Sequence, residues 1–179
     1  MYGGFAMKNK IFEWVKVIIL AAFMGGIVTY FAVPTVVSGE SMYPTINTED
    51  YLIINKLAYK SDNPNRGDIV VFKTDLNNDK GNKKSLVKRI IGLPNEHLVI
   101  DNGDVYINDV LVDEPYICDE YTDGNIDMII PEGRYFAMGD NRFVSKDSRD
   151  EDVGVVSKGD IVGEVSIRLF PFEDLGIIK

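Results

Sequence analysis

The sequence predicts a mainly β protein, in which antiparallel sheets form a partly closed, barrel-like domain, with one N-terminal transmembrane helix. Two observations predict this fold class. A long apolar run without charged residues lies near the N-terminus, and beyond it the apolar residues form short β-branched runs or alternate with polar ones. Long uncharged runs are typical of membrane helices, and short alternating runs between turn residues are typical of strands. A parallel α/β fold is disfavoured because no amphipathic helix of useful length separates the strands.

The apolar run extends from Val17 to Val37. It is long enough to cross a bilayer, whose hydrocarbon core needs about 20 helical residues. A cleaved signal peptide is the alternative interpretation. It is disfavoured because the run has no short apolar core followed by a cleavage site and instead leads directly into a serine-containing motif. We therefore expect a membrane anchor at 17–37.

Basic residues dominate the segment before this run. This segment contains three lysines, Lys8, Lys10 and Lys16, and a single acidic residue, Glu13. Because positive charge accumulates on the cytoplasmic side of membrane helices, residues 1–16 are predicted to be cytoplasmic. Residues 38–179 are then predicted to form an extracytoplasmic β domain.

Composition limits the remaining functions. The 179 residues, 45% hydrophobic and 26% charged, suffice for one substantial domain plus an anchor. A net charge of −9 argues against a nucleic-acid partner, which needs a concentrated basic surface. The single cysteine, Cys118, excludes an internal disulfide, and the single histidine, His97, excludes a histidine-rich metal site.

The strand pattern begins after the anchor and predicts eight or so short strands. The runs are Tyr51–Ile54, Asp68–Phe72, Leu86–Ile91, His97–Ile100, Val105–Ile107, Val110–Val112, Met128–Ile130, Arg134–Met138 and Ile161–Leu169. Asn102-Gly103 predicts a tight hairpin turn, because Asn and Gly suit its two positive-φ positions. The polar stretches 73–85 and 115–124 are predicted to be loops, and 109–130 an excursion from the main domain.

Ser41 is the candidate nucleophile. It lies in the stretch Ser38–Thr45, between Gly39, which allows close backbone approach, and Pro44, which stiffens the following turn. A serine hydroxyl is a weak nucleophile unless a neighbouring base takes its proton. The alternative is a Gly/Pro turn leaving an edge strand.

Lys88 is the candidate base. In a strand it shares a face with Leu86 and Ile90, and burial among apolar groups lowers the pKa of a lysine from about 10.4 toward the working pH. A lysine that extends to solvent from an edge strand is the alternative. His97 is the rival base, but its alternating strand beside a hairpin is more typical of an exposed histidine.

A polar run, Gly139–Arg149, directly follows the predicted strand Arg134–Met138. It is dense in hydrogen-bonding groups, as a loop that orients a catalytic base must be. A well-bonded turn with an Asp-Arg ion pair is the alternative.

Together these motifs resemble a known family. Ser38–Thr45, Gly67–Phe72, Leu86–Pro94 and Gly139–Arg149 are similar, in order, to the sequence boxes of the bacterial type I signal peptidases. The resemblance implies a plasma-membrane serine endopeptidase that cleaves N-terminal signal peptides from exported preproteins. It implies a Ser-Lys dyad and an acyl-enzyme, with no metal or cofactor. Some members have a serine two residues before the nucleophile, where this chain has Gly39. Glycine at that position is typical of Gram-positive members. Because no side-chain hydroxyl is available there, the donors to the oxyanion are expected to be backbone amides.

The resemblance also implies roles for individual residues. Ser41 would be the nucleophile and Lys88 the general base. Ser145 would form a hydrogen bond with the Lys88 amine and orient it. Asp147 and Arg149 would form a supporting ion pair, while Asp140 and Arg142 would be structural. Substrate would pair with the extended segments before Ser41 and Lys88, and the residues expected to contact it are Val36, Val37, Gly39, Met42, Leu86 and Val87.

The expected partners are preprotein signal peptides and the lipid bilayer, with the protein export machinery as a further candidate. Two alternatives remain open. One is a Ser-Lys peptidase with another substrate, such as the self-cleaving repressors, although those are soluble and carry a DNA-binding segment. The other is a membrane-tethered, non-enzymatic β module in which Ser41 and Lys88 are incidental.

Overall fold

The computed structural model describes residues 3–77, 81–118 and 121–178, and within the first helix the side chains of 12–26 and Phe31. The chain divides into two units, Met1–Val33 and Pro34–Lys179. The first consists mostly of helix α1, Gly3–Phe31. The second contains the sheets, one short α-helix, α2 (Ala58–Ser61), and two 3-10 turns at Lys158–Asp160 and Phe172–Asp174.

The first helix does not extend over the whole of the predicted membrane segment, 17–37. Helix α1 ends at Phe31, and Ala32–Val36 form strand β1. Pro34 explains the change, because proline lacks a backbone N–H and disfavours helical geometry in the residue before it. The β-branched residues around it favour an extended chain. The predicted membrane-crossing helix finds no support in the described residues, where no helix is both long and apolar enough to cross a membrane.

The larger sheet has eight strands in the order β1-β2-β11-β3-β4-β9-β10, with β12 paired to β11. Its other strands are β2 (Tyr51–Asn55), β3 (Ile69–Asn77), β4 (Lys83–Gly92), β9 (Arg134–Met138), β10 (Val156–Ser157), β11 (Ile161–Phe170) and β12 (Gly176–Ile177). The smaller sheet has the order β7-β6-β5-β8. Its strands are β5 (His97–Asp101), β6 (Asp104–Ile107), β7 (Val110–Leu111) and β8 (Ile126–Ile129).

The mainly β, antiparallel fold class is confirmed, but the partly closed barrel is wrong. Among the described strands, neither sheet closes on itself. Closure is unnecessary because the apolar faces are covered by packing. Strands β4 and β9 each contribute side chains to two separate buried clusters, one of which also takes residues from the smaller sheet.

The predicted strand runs all overlap observed strands, and the Asn102-Gly103 turn is confirmed with φ values of 50° and 95°. The loop predicted at 73–85 is wrong at both ends, because β3 continues to Asn77 and β4 begins at Lys83. Main-chain pairing across this ladder needs no apolar side chains, so the polar sequence concealed it. Residues 78–80, within the same predicted loop, lie outside the described residues.

The smaller sheet includes the predicted excursion. Segment 109–130 supplies β7 and β8, which pair with β6 and β5 respectively. The sheet itself begins earlier in the chain, at His97. The loop predicted at 115–124 has no helix or strand in its described residues, and 119–120 lie outside them.

Strand β4 is buried from both sides. Leu86 and Ile90 belong to one apolar cluster and Ile91 to the other. Because side chains alternate along a strand, Lys88 shares the face of Leu86 and Ile90, and Arg89 shares that of Ile91. Both charged side chains are almost completely buried, at 1% and 2% relative exposure. The fold therefore places two cations inside the protein at adjacent positions of one strand.

Gly163 in β11 tests the packing of the larger sheet. A Cβ there would lie 2.4 Å from the main-chain oxygen of Asn55 in β2. We expect Gly163→Ala to lower the free energy of unfolding by about 1–3 kcal/mol, because neither strand can move freely. Urea denaturation measures the change. Gly176→Ala, with nothing within 4 Å of its Cβ, is the control. Equal midpoints for the two variants would contradict this account of the packing.

Candidate active site

Ser41 lies in a series of turns between β1 and β2. The chain before and after these turns is held together by Val37, whose N–H donates to Asp50 and whose carbonyl accepts from Glu49, both at 3.0 Å. Gly39 has φ of +102°, a left-handed conformation that favours glycine. Met42 is buried directly after Ser41. The serine is therefore presented on a short segment anchored at both ends.

The amine of Lys88 reaches the hydroxyl of Ser41. Lys88 Nζ donates to Ser41 Oγ at 2.5 Å, a contact between residues far apart in the sequence. Burial lowers the pKa of Lys88 to about 8, although the negative charge of Asp147 partly opposes this. A lysine with such a pKa has an appreciable neutral fraction near neutral pH, and only the neutral amine accepts a proton.

Gly139, at the start of the loop after β9, touches the nucleophile segment. A Cβ on Gly139 would lie 2.2 Å from the main-chain oxygen of Ser41, so only glycine fits here without movement of the chain. The N–H of Asn141 donates to the same oxygen at 3.1 Å. The loop that follows β9 is therefore in direct contact with the backbone that carries the Ser41 hydroxyl.

The predicted supporting residues form one hydrogen-bonded group. The Ser145 hydroxyl donates to Asp147 at 2.6 Å and accepts from the Gly139 N–H at 3.1 Å. The predicted Asp147–Arg149 ion pair is present, with Nε and Oδ1 2.9 Å apart. Burial would raise the pKa of Asp147, but hydrogen bonds from Arg149, Ser145 and Gly139 outweigh it and hold the pKa below its usual value. The structure thus gives Ser145 hydrogen bonds to Asp147 and Gly139 instead of the predicted one to Lys88.

A groove of about 790 Å³ opens beside Ser41 and Lys88. All six residues predicted to contact substrate line it: Val36, Val37, Gly39, Met42, Leu86 and Val87. The sequence did not reveal that Glu40, Lys84, Val144 and Lys146 line it too. The lining of the groove therefore combines apolar side chains with the charged side chains of Glu40, Lys84 and Lys146.

His97 is placed in the smaller sheet, in strand β5. Its Nε2 lies 2.8 Å from Asp127 Oδ1, and both side chains are partly exposed. Its interactions are with the surface of that sheet.

Within the described ranges, no group of three or more His, Cys, Asp or Glu side chains is arranged to hold a metal ion.

Comparison with known proteins shows the family of this chain. The family model described as signal peptidase, peptidase S26, matches residues 11–170. The chain belongs to this family. It is 35% identical to signal peptidase I U of Bacillus subtilis (strain 168), over 94% of this chain and 91% of that one. It is equally identical to signal peptidase IB of Staphylococcus aureus (strain COL), over 94% of each chain. A crystal structure of a signal peptidase I from Enterococcus faecalis V583 is 30% identical, with a TM-score of 0.49, covering 59% of this chain and 98% of that one.

The structure contains two buried ion pairs whose pairing the sequence did not predict. Arg89 pairs with Asp140 through two hydrogen bonds of 2.9 and 2.7 Å, and Thr45 donates to the same carboxylate. Arg142 pairs in the same way with Glu114. A charged residue next to Lys88 on a strand buried on both sides could have indicated that Arg89 needs a carboxylate. The local sequence gives no signal that Glu114 is the partner of Arg142.

The Arg89–Asp140 pair gives a stability prediction. We expect Asp140→Ala to cost about 3–5 kcal/mol of unfolding free energy, because it leaves the Arg89 guanidinium buried without its counter-charge. The double variant Arg89→Met/Asp140→Leu should recover most of this loss. Chemical denaturation of each variant provides the comparison. The control is Asp75→Asn. It removes the exposed partner of Lys83, which lies on strand β4 like Arg89, and it should leave the denaturation midpoint unchanged. A double variant no more stable than Asp140→Ala would disprove the pairing argument.

Proposed function

We propose that this chain is a serine endopeptidase that cleaves N-terminal signal peptides from exported preproteins, with Ser41 as nucleophile and Lys88 as general base. The observation that carries the proposal is the 2.5 Å contact between Lys88 Nζ and Ser41 Oγ, made by an amine whose pKa is lowered to about 8 by burial. Membership of the signal peptidase family supports the substrate class. Such an enzyme would work at the extracytoplasmic face of the plasma membrane, where preproteins emerge from the export machinery.

The reaction follows from the protonation state of Lys88. The neutral amine takes the proton of the Ser41 hydroxyl as Oγ attacks the carbonyl carbon of the scissile bond. The resulting ammonium group returns the proton to the leaving amine, and an acyl-enzyme ester remains on Ser41. The amine then takes a proton from a water molecule, which attacks the ester carbonyl. As the bond to Ser41 Oγ breaks, the ammonium group returns this proton to Oγ, and the signal peptide leaves as a carboxylic acid. Every proton passes through Lys88, so the cycle uses no metal or cofactor.

The supporting residues would act on Lys88 through charge and position. The carboxylate of Asp147 opposes the effect of burial on the pKa of Lys88, and Arg149 fixes that carboxylate. Ser145 joins Asp147 to the Gly139 N–H, and so to the segment that contacts Ser41. The oxyanion of the tetrahedral intermediate would accept hydrogen bonds from the Ser41 N–H and a neighbouring amide. One such donor typically contributes about 2.7–4 kcal/mol.

The walls of the groove suggest how the peptide lies. Val36 and Val37 precede Ser41, and Leu86 and Val87 precede Lys88, so both walls run toward the candidate dyad. A peptide extended in the same direction would place its N-terminal residues beside these walls and its scissile carbonyl at Ser41. Main-chain pairing with both walls would then hold a signal peptide largely independently of its sequence.

Substitution of the dyad tests the proposal. Ser41→Ala and Lys88→Ala should each abolish preprotein cleavage in detergent or vesicles, because one removes the nucleophile and the other its base. His97→Gln, which alters a side chain in the smaller sheet, should retain activity. A serine-directed acylating probe should label Ser41 in the parent protein. Activity in either dyad variant, or inactivity of His97→Gln alone, would refute the assignment; failure of the probe to label would favour the non-enzymatic alternative.

The pH profile gives a second test. Because only neutral Lys88 is active, cleavage should rise with pH through the pKa of Lys88. The Asp147 charge raises that pKa and the Lys84 charge lowers it. Asp147→Asn should therefore move the midpoint to lower pH, and Lys84→Gln should move it to higher pH. Steady-state rates across the pH range measure both shifts. Two midpoints that move in the same direction would show that another group controls the rate.

A further inference from the structure

Arg142 is among the largest of the fully buried side chains in the described residues, yet it lies in the polar loop that follows β9. Its guanidinium donates four hydrogen bonds. Nη1 and Nη2 donate to the two Glu114 oxygens at 3.0 and 2.6 Å, Nη1 also donates to Thr122 Oγ1, and Nε donates to the Gly139 carbonyl at 3.0 Å. Both acceptor side chains come from the acidic stretch between β7 and β8. The sequence of this stretch alone indicates no role for it.

The contacts of Arg142 lead to the nucleophile in two steps. Its Nε holds the carbonyl of Gly139, and the Cα of Gly139 lies so close to the Ser41 carbonyl that no Cβ fits between them. The N–H of Asn141, the residue before Arg142, donates to the same Ser41 carbonyl. The Arg142 side chain thus holds the Gly139 end of the segment 139–142, and Gly139 and Asn141 both lie against the Ser41 carbonyl.

A second set of contacts leads from Arg142 to Lys88. The main-chain carbonyl of Arg142 accepts from Arg149 Nη2 at 2.8 Å, and Arg149 holds the Asp147 carboxylate. Asp147 in turn acts on Lys88 through its charge. Displacement of Arg142 would therefore affect both members of the candidate dyad.

Glu114 is also linked to Arg89, through the side chain of Tyr116. Tyr116 donates to Glu114 Oε1 at 3.0 Å, and its ring lies 4.1 Å from the guanidinium of Arg89. Arg89 is the neighbour of Lys88 in β4 and pairs with Asp140. One carboxylate, only 7% exposed, therefore connects the acidic stretch to the catalytic strand as well as to the loop after β9.

We propose that Glu114 is a positioning residue: together with Thr122 it fixes Arg142, and through Arg142 it sets the place of the Gly139–Asn141 backbone against Ser41. The inference rests on the peptidase function proposed above. Glu114 is not among the residues that line the groove in the described part of the chain. Its loss should therefore reduce the rate of the chemical step and leave substrate binding unchanged, because a small displacement of reacting groups can cost about a hundredfold in rate.

The test compares full-length Glu114→Gln, Thr122→Val and Asp113→Asn with the parent protein in detergent, using a peptide that contains a signal-peptide cleavage site. Active enzyme is counted from the end-point of labelling by a serine-directed acylating probe, so that kcat refers to folded sites. We expect Glu114→Gln to lower kcat by roughly tenfold to a hundredfold with KM unchanged. Thr122→Val, which removes one acceptor from Arg142 with little change in shape, should lower kcat less, again with KM unchanged.

Asp113→Asn is the matched control. It removes the same charge from the adjacent position, and the carboxylate partner of Arg142 is Glu114. Parent kcat in folded Glu114→Gln, an equal fall in Asp113→Asn, or a rise in KM alone would each overturn the positioning role. If Glu114→Gln does not fold, the test rests on Thr122→Val. A kcat of Thr122→Val equal to that of the parent protein would then overturn the proposal. A parent protein that leaves the peptide intact contradicts the proposed function, whereas cleavage by parent and Glu114→Gln alike contradicts only the role of Glu114.

Discussion

The amine of Lys88 is removed from water while it contacts the hydroxyl of Ser41, and this burial has an energetic consequence for the whole fold. A fall in pKa from 10.5 to about 8 corresponds to roughly 3 kcal/mol. Because the pKa is lower in the folded than in the unfolded chain, the native state carries this cost at pH values below about 8 and loses it as the pH rises toward 10.5. The apolar clusters on both sides of β4 must offset it.

The carboxylates around Lys88 explain why burial dominates its pKa. A carboxylate in direct contact with the amine would stabilise the ammonium form and remove the base. Each nearby acid is instead held by an arginine: Asp140 by Arg89 and Asp147 by Arg149. Arginine remains protonated under all relevant conditions, so these pairs cannot release their carboxylates to the lysine. The arginines therefore do more than stabilise the loop after β9, since they keep negative charge at a distance from Lys88.

Much of the β architecture could be predicted from the sequence, because alternation and turn residues act locally. The Asn102-Gly103 hairpin and the runs around Lys88 are examples, and the alternation in β4 correctly indicated which residues share the face of Lys88. Pairing that uses only main-chain groups left no such pattern, so the extension of β3 to Asn77 was missed. The partly closed barrel failed for a related reason, because closure depends on which strands meet and not on the pattern within any one of them.

The candidate site shows the same division between local and distant information. The candidate dyad and the six groove residues expected to contact substrate come from short motifs whose residue types already suggested their chemistry. The partners that hold those motifs in place come from elsewhere: Glu114 lies in an acidic stretch that resembles ordinary solvated surface, and only its burial against Arg142 distinguishes it. The same reasoning applies to the choice of base. Histidine is the residue type most often used as a general base, but the strand of His97 places it beside Asp127 in the smaller sheet. The less common base, Lys88, has the contact with Ser41, and the protein's own atoms bury it to 1% exposure. Base strength near neutral pH is therefore a property of where the fold places the side chain more than of which side chain it is.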